Sequence, residues 1–97
     1  MVIFIKNYVT TASSYADGEK IYKLIYPQIA KSERVAVSFE GIDSVPSAFI
    51  NSAFVRLLES FTFDHIKNYL QIINSTHHIN TLIRDRFAFA VKRSETA

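Results

Sequence analysis

The residues best placed to do chemistry lie in one stretch, VAVSFEGIDSVPSAF, at positions 35–49. Its pattern delivers a strand, a short loop and a helix start in immediate succession, the place in open α/β folds where ligands and modifications gather. Ser44 and Ser47 both fall at the helix entrance. Unsatisfied backbone N–H groups and the positive end of the helix dipole stabilise an anion there, so a phosphoserine at Ser47 or Ser44 is electrostatically favoured. Either serine also fits as a plain N-cap with Pro46 beside it. Gly41 stands alone, and neither GxGxxG nor a GK[ST] ending occurs, which argues against a phosphate-cradling nucleotide loop. Asp43 in the loop and Asn51 on the helix are polar candidates for contact with a partner.

Elsewhere the chemistry-bearing residues are dispersed. His77 and His78 are adjacent, and neighbouring helical positions point about 100° apart, so the pair does not converge on one metal. They and His65 read as surface or capping residues, and no metal or cofactor is expected. Asp43, Asp64 and Asp85 accompany several serines, but no nucleophile elbow or spaced pair defines a catalytic set. A non-enzymatic protein is the expectation. Arg84, Arg86, Lys92 and Arg93 make the C-terminal stretch locally basic. On a helix they occupy more than one face, which suits a solvated exterior or an acidic partner surface contacted by Arg84 and Arg86. Tyr22 and Tyr26, one turn apart, could line an interaction patch.

The composition narrows the classes. Ninety-seven residues make one folding unit, and 48% hydrophobic residues, with eight Phe and five Tyr, supply a core and exclude a disordered chain. Eleven Lys and Arg against nine Asp and Glu leave +2, far from the basic stripe that phosphate-backbone binding needs, so nucleic acid is not a favoured partner. With no cysteine, a disulfide, a thiolate nucleophile and a cysteine-ligated zinc are impossible. No apolar run approaches the roughly 20 residues that span a bilayer, and no signal-peptide pattern opens the chain. A cytoplasmic location is expected.

The elements that must position these residues follow from periodicity. Residues 2–10 are rich in β-branched and aromatic types and read as a strand. Ile21, Leu24, Ile25 and Ile29 recur at helical spacing, predicting a helix over about 16–31, capped by Asp17 or a nearby Ser and disturbed at Pro27. Val35, Val37 and Phe39 alternate with small or polar residues and should point into the core from a second strand. Phe49, Ile50, Ala53, Phe54, Leu57, Leu58 and Phe61 form a broad stripe that predicts a second helix over 48–61. Residues 69–74 read as a third strand, after a polar connection around Asp64 and His65 with room for one helical turn. Ser75 or Thr76 then caps a third helix with Ile79, Leu82, Ile83, Phe87, Ala90 and Val91 inward, although residues 87–91 fit a strand equally. Residues 94–97 are expected to fray. Strand and helix alternate, so the prediction is a small α/β layer with a mostly parallel three- to four-stranded sheet. Ala36, Ser38 and Glu40 on one side of the central strand predict helices mainly on one face.

The strand VAVSFEGI, the pair Ser47 and Phe49, the helix carrying Asn51 and Phe54, and the later strand YLQIIN resemble the STAS-like family of small bacterial proteins. That family is related in plan to the STAS domains of anti-sigma-factor antagonists. The resemblance implies a single STAS-like domain and a regulatory, protein-binding role. In the antagonists, a serine at the start of the helix after the central strand is phosphorylated by an ATPase of the histidine-kinase fold, and the charge breaks the complex. Ser47 occupies the matching position. The antagonists carry Asp-Ser-Ser/Thr-Gly there, whereas this chain reads Pro46, Ser47, Ala48, Phe49. In the STAS-like branch an aromatic at the last of these positions packs into the core. The resemblance thus implies a protein partner, an ATPase of the histidine-kinase fold, with Ser47 as switch. The alternatives are an assembly protein that pairs as a homodimer through its exposed sheet face or edge, and a weak nucleic-acid binder using the C-terminal basic helix.

Overall fold

The computed structural model describes residues 1–96, which form strands β1 (Val2–Phe4), β2 (Val35–Ser38) and β3 (Leu70–Ile73) and helices α1 (Tyr15–Ala30), α2 (Ser47–Ala53), α3 (Phe63–Tyr69) and α4 (His77–Thr96). The sheet is wholly parallel in the order β1-β2-β3, with Ile3 opposite Val37 and Val37 opposite Ile72. Parallel neighbours need long crossovers, and here these are helical. The α/β class, the parallel sheet and its small size agree with the sequence reading.

Coverage is one-sided. Ile3, Val35 and Val37 point into the core, where α1 packs along α2 with Gly18, Ile21, Ile25 and Ile29 buried. Val2, Phe4, Ala36 and Gln71 lie on the opposite face, and Val2 and Phe4 remain 51% and 39% exposed. Ser38 shares that side but is only 1% exposed. Gly18 lets the two helices approach: a Cβ there would collide with Ser52 Oγ and sit 2.7 Å from the Phe49 carbonyl oxygen.

Local chemistry explains the boundaries. Ser14 Oγ accepts from Asp17 N at 3.1 Å while Asp17 Oδ2 accepts from Ser13 N at 3.2 Å, a reciprocal cap that starts α1. Pro27 is tolerated within α1, which stops three residues later at Ala30, and Ser32 turns the chain with φ 57°. Thr62 Oγ1 accepts from His65 N and caps α3, so the expected polar connection holds a two-turn helix. Thr76 Oγ1 accepts from Ile79 N at 3.1 Å and caps α4, which carries residues 87–91 as helix. The helical backbone continues through Thr96, so of the segment expected to fray only Ala97 lies outside the described residues.

Two expectations are corrected. The first strand ends at Phe4, not near residue 10, because a 3-10 turn (Ile5–Asn7) draws Ile5 and Val9 inward, with Tyr8 N and Val9 N both donating to the Ile5 carbonyl. The helix expected over 48–61 breaks at Phe54 (φ −122°, ψ −51°) and continues as a 3-10 turn (Val55–Glu59). Phe54 and Leu57, three apart, stay buried together because a 3-10 turn brings i and i+3 onto one side. The apolar stripe was legible; the change of helix type was not. No helix among the described residues is long and apolar enough to cross a membrane.

Candidate functional site

The carboxyl ends of the three strands converge with the starts of α2 and α4. Ser38, at the end of β2, accepts two hydrogen bonds on Oγ, from Asn74 Nδ2 at 2.9 Å and from Glu40 N at 3.2 Å. Asn74 follows β3 with φ 52°, a left-handed conformation asparagine tolerates better than most residues. Phe39 N donates to the Ile73 carbonyl, so the β2 and β3 ends are tied by backbone and side chain alike.

From there the chain turns at Gly41, whose φ of 78° suits glycine and over which the Lys6 side chain lies. Ile42 and Val45 are buried and pin the loop, which leaves Asp43 and Ser44 facing solvent. The Asp43 carbonyl accepts from Thr76 Oγ1 at 3.5 Å, so the hydroxyl that caps α4 also reaches the loop bearing Ser44. Pro46 takes the N-cap position of α2 without a side-chain cap bond, and Ser47 is the exposed first residue of that helix. Neither serine is therefore the cap. At seven residues, α2 also carries a shorter macrodipole than the long helix expected from the sequence.

Phe49 is fully buried and packs edge-on against Phe39 and Phe54, with centroids 6.4 and 6.5 Å away. The aromatic two positions after Ser47 thus points away from the serine's surface, as the resemblance implied. Ser52 Oγ, wholly buried, donates to the Phe49 carbonyl at 3.2 Å and so satisfies its own hydroxyl.

The remaining candidates divide. Asn51 and Arg86 meet: Arg86 Nε donates to Asn51 Oδ1 at 3.2 Å, and the guanidinium lies 5.2 Å from the Phe89 ring centroid. Arg84 sits elsewhere, 74% exposed, with Nε 3.8 Å from the carboxylate of its neighbour Asp85. The six residues selected from the sequence therefore form no single site. Asp43, Ser44 and Ser47 share the loop and helix start, Asn51 lies a turn along α2 where Arg86 reaches it from α4, and Arg84 faces a different groove.

His65 is structural in this fold. Its Nε2 lies 2.9 Å from the Ile29 carbonyl, which requires the ring nitrogen to donate, and the ring stacks on Phe61 and leans on Tyr69. His77 and His78 are exposed at the start of α4. Among the described residues no group of three or more His, Asp or Glu side chains could hold a metal ion. Tyr22 and Tyr26 do meet, at 5.6 Å, with the Arg56 guanidinium 4.5 Å over the Tyr22 ring and bound to Glu19 at 3.6 Å. Burial raises the Tyr22 pKa above the ordinary phenol value, with Arg56 opposing.

The sequence reading missed the Ser38 to Asn74 bond and the tie from Thr76 to the loop. An isolated serine inside an apolar strand is a signal for a buried hydroxyl with a partner, but which residue answers it depends on how β3 lies beside β2.

A family model described as "STAS-like domain of unknown function (DUF4325)" matches residues 17–80, well over half of the chain. The matched segment runs from the start of α1 to the first turn of α4 and contains the whole loop from Gly41 to Ser47. No curated protein and no solved structure matches the chain.

Proposed function

Because the chain belongs to the family of STAS-like domains of unknown function, we propose that it is a regulatory protein-interaction module, not an enzyme, whose partner is an ATPase of the histidine-kinase fold. The switch in this reading is phosphorylation of Ser47, with Ser44 the second acceptor on the same loop. The observation that carries it is the exposed Ser47 hydroxyl at the head of α2, on a loop anchored by buried Ile42 and Val45. An acceptor must be open to an incoming active site, and a defined anchor makes its position reproducible.

A phosphate would add about −1.5 to −2 charges at that point. Ser47 and Asn51 are four residues apart and share a face of α2. Arg86, bound to Asn51, is thus a cation on the same side for the new charge to act upon. The test is to incubate the protein with ATP and a candidate ATPase of this fold, beginning with one encoded beside it, and to locate phosphate by mass spectrometry. Incorporation at Ser47, its loss in Ser47→Ala, and weaker ATPase binding by Ser47→Glu are expected. Phosphate found outside this loop, or none, sinks the switch.

The open sheet face supports a second reading, self-association. Val2 and Phe4 are exposed, as are Met1 and Tyr8 of the same N-terminal segment. Exposed apolar side chains of this kind mark contact surfaces when they gather. Sedimentation across a wide concentration range should then show a dimer that Phe4→Glu dissolves; a concentration-independent monomer rejects it.

A further inference from the structure

A different surface, at the free edge of β3, has the chemistry to select a partner. A cavity of about 230 Å³ opens between α3, β3 and α4, floored by Phe63, Ile66, Leu70, Ile72, Ile83 and Phe87. Lys67 and Arg84 are its charged walls. A neighbouring hollow of about 290 Å³ shares Lys67 and Leu70 and adds Arg34. No acidic residue lines either space: Lys67 and Arg84 border the apolar trench, and Arg34 joins Lys67 on the more polar hollow beside it.

The strand edge itself is available. Phe39 N donates to the Ile73 carbonyl, so in a parallel ladder the backbone of Ile73 and Gln71 faces β2 and that of Leu70 and Ile72 faces outward. Leu70 N is occupied by the Ile66 carbonyl at the end of α3. The Ile72 N–H and C=O have no hydrogen-bond partner among the described residues. An unpaired edge beside side-chain pockets is the arrangement that captures extended peptides by strand addition.

We propose that the edge of β3 binds an extended acidic segment of a partner protein, with one apolar side chain seated between α3 and α4 and flanking carboxylates meeting Lys67 and Arg84. Arg84 can take such a partner: its pair with Asp85 is solvent-exposed on both sides, a geometry that contributes little. A single-stranded nucleic acid fits less well, since Phe63 and Phe87 pack on each other at 5.4 Å and Phe87 is buried, leaving no flat ring for a base. A second copy of this chain also fits less well, because neither edge strand it could offer, β1 or β3, carries a carboxylate. The inference rests on the protein-binding reading but not on Ser47: the trench shares no residue with the Ser44 and Ser47 loop, and a failed phosphorylation assay leaves it standing.

The test titrates the isotope-labelled full chain with a pool of octapeptides that carry one Ile, Val, Leu or Phe with Glu or Asp two positions to either side, so that all three side chains leave the same face of the extended strand. Matched peptides with Lys at the acidic positions and a single-stranded RNA dodecamer serve as comparison probes. Acidic peptides should saturate the chain, with the largest amide shifts at Ile72 and its neighbours on β3. A Lys67→Glu, Arg84→Glu double variant with unchanged circular dichroism should lose about tenfold or more in affinity, the equivalent of one good polar contact. Shifts confined to the Ser44 and Ser47 loop or to the open sheet face overturn the proposal. So do equal binding of the Lys peptides, tighter binding of the RNA, or no binding by any peptide in the pool.

Discussion

Arg86 Nε donates to Asn51 Oδ1 at 3.2 Å across 35 residues of chain, joining the face of α4 to that of α2. The same guanidinium lies over the Phe89 ring, about one turn further along α4, at 5.2 Å from the centroid. The arginine is therefore held by a hydrogen bond on one side and an aromatic face on the other. Asn51→Ala and Arg86→Ala should each destabilise the fold, and a double-mutant cycle by urea denaturation should return a coupling of about 0.5–1.5 kcal/mol. Strict additivity would show that the bond contributes nothing.

Gly18 is the tightest point between α1 and α2. A methyl group added there meets Ser52 Oγ and the Phe49 backbone oxygen, and only the first can rotate away. Gly18→Ala should cost about 1–3 kcal/mol or more despite the better helix propensity of alanine. Ser52→Ala in the same chain should recover part of the loss, because the Phe49 carbonyl stays in place. A Gly18→Ala protein as stable as the parent in thermal melts contradicts this packing.

Ser38 accepts from both Asn74 and Glu40, so removing its hydroxyl strips two donors of their partner. Ser38→Ala should lower stability by about 1–3 kcal/mol. Asn74→Gly should cost less than Asn74→Val, since glycine accepts the positive φ and a β-branched residue does not. Equal costs for the two substitutions would remove backbone conformation from the account.

Tyr22 titrates above the ordinary phenol range because its burial disfavours the phenolate. A folded-state pKa raised above the unfolded value contributes stability that is complete below about pH 10 and is lost as pH rises through the folded pKa. Absorbance titration of the folded protein should show a late-titrating component that Tyr22→Phe removes. Denaturation midpoints above pH 10 should then fall less steeply in Tyr22→Phe than in the parent, and parallel curves would count against the assignment.

The Thr76 hydroxyl caps α4 and reaches the Asp43 carbonyl. Thr76→Ala should cost about 1 kcal/mol, the usual consequence of losing an N-cap. Hydrogen exchange should quicken at Ile79, which loses its acceptor. Protection at Ile79 that is indifferent to the substitution would show that the cap is not formed in solution.

Much of this protein is written in local spacing. Alternation at Val35, Val37 and Phe39 and the period of Ile21, Ile25 and Ile29 determine which sides face the core, because pleat and helix geometry map directly onto residue number. The one-sided sheet was legible for the same reason, and the start of α1 was narrowed to Asp17 or a nearby serine, of which the structure selects Ser14. Ser47 stands at a helix start because Pro46 and the preceding loop place it there. What local spacing does not carry is the pairing of distant surfaces. The break at Phe54 leaves the apolar repeat intact, so a helix and a 3-10 turn satisfy the pattern alike until α1 and α4 pack against it. Asn51 and Arg86, Ser38 and Asn74, and the cations along the β3 edge are each separated by about thirty residues or more, or gathered from several elements. Only the packed layers decide that the first two pairs touch and that Arg84 turns to the trench instead of to Ser47.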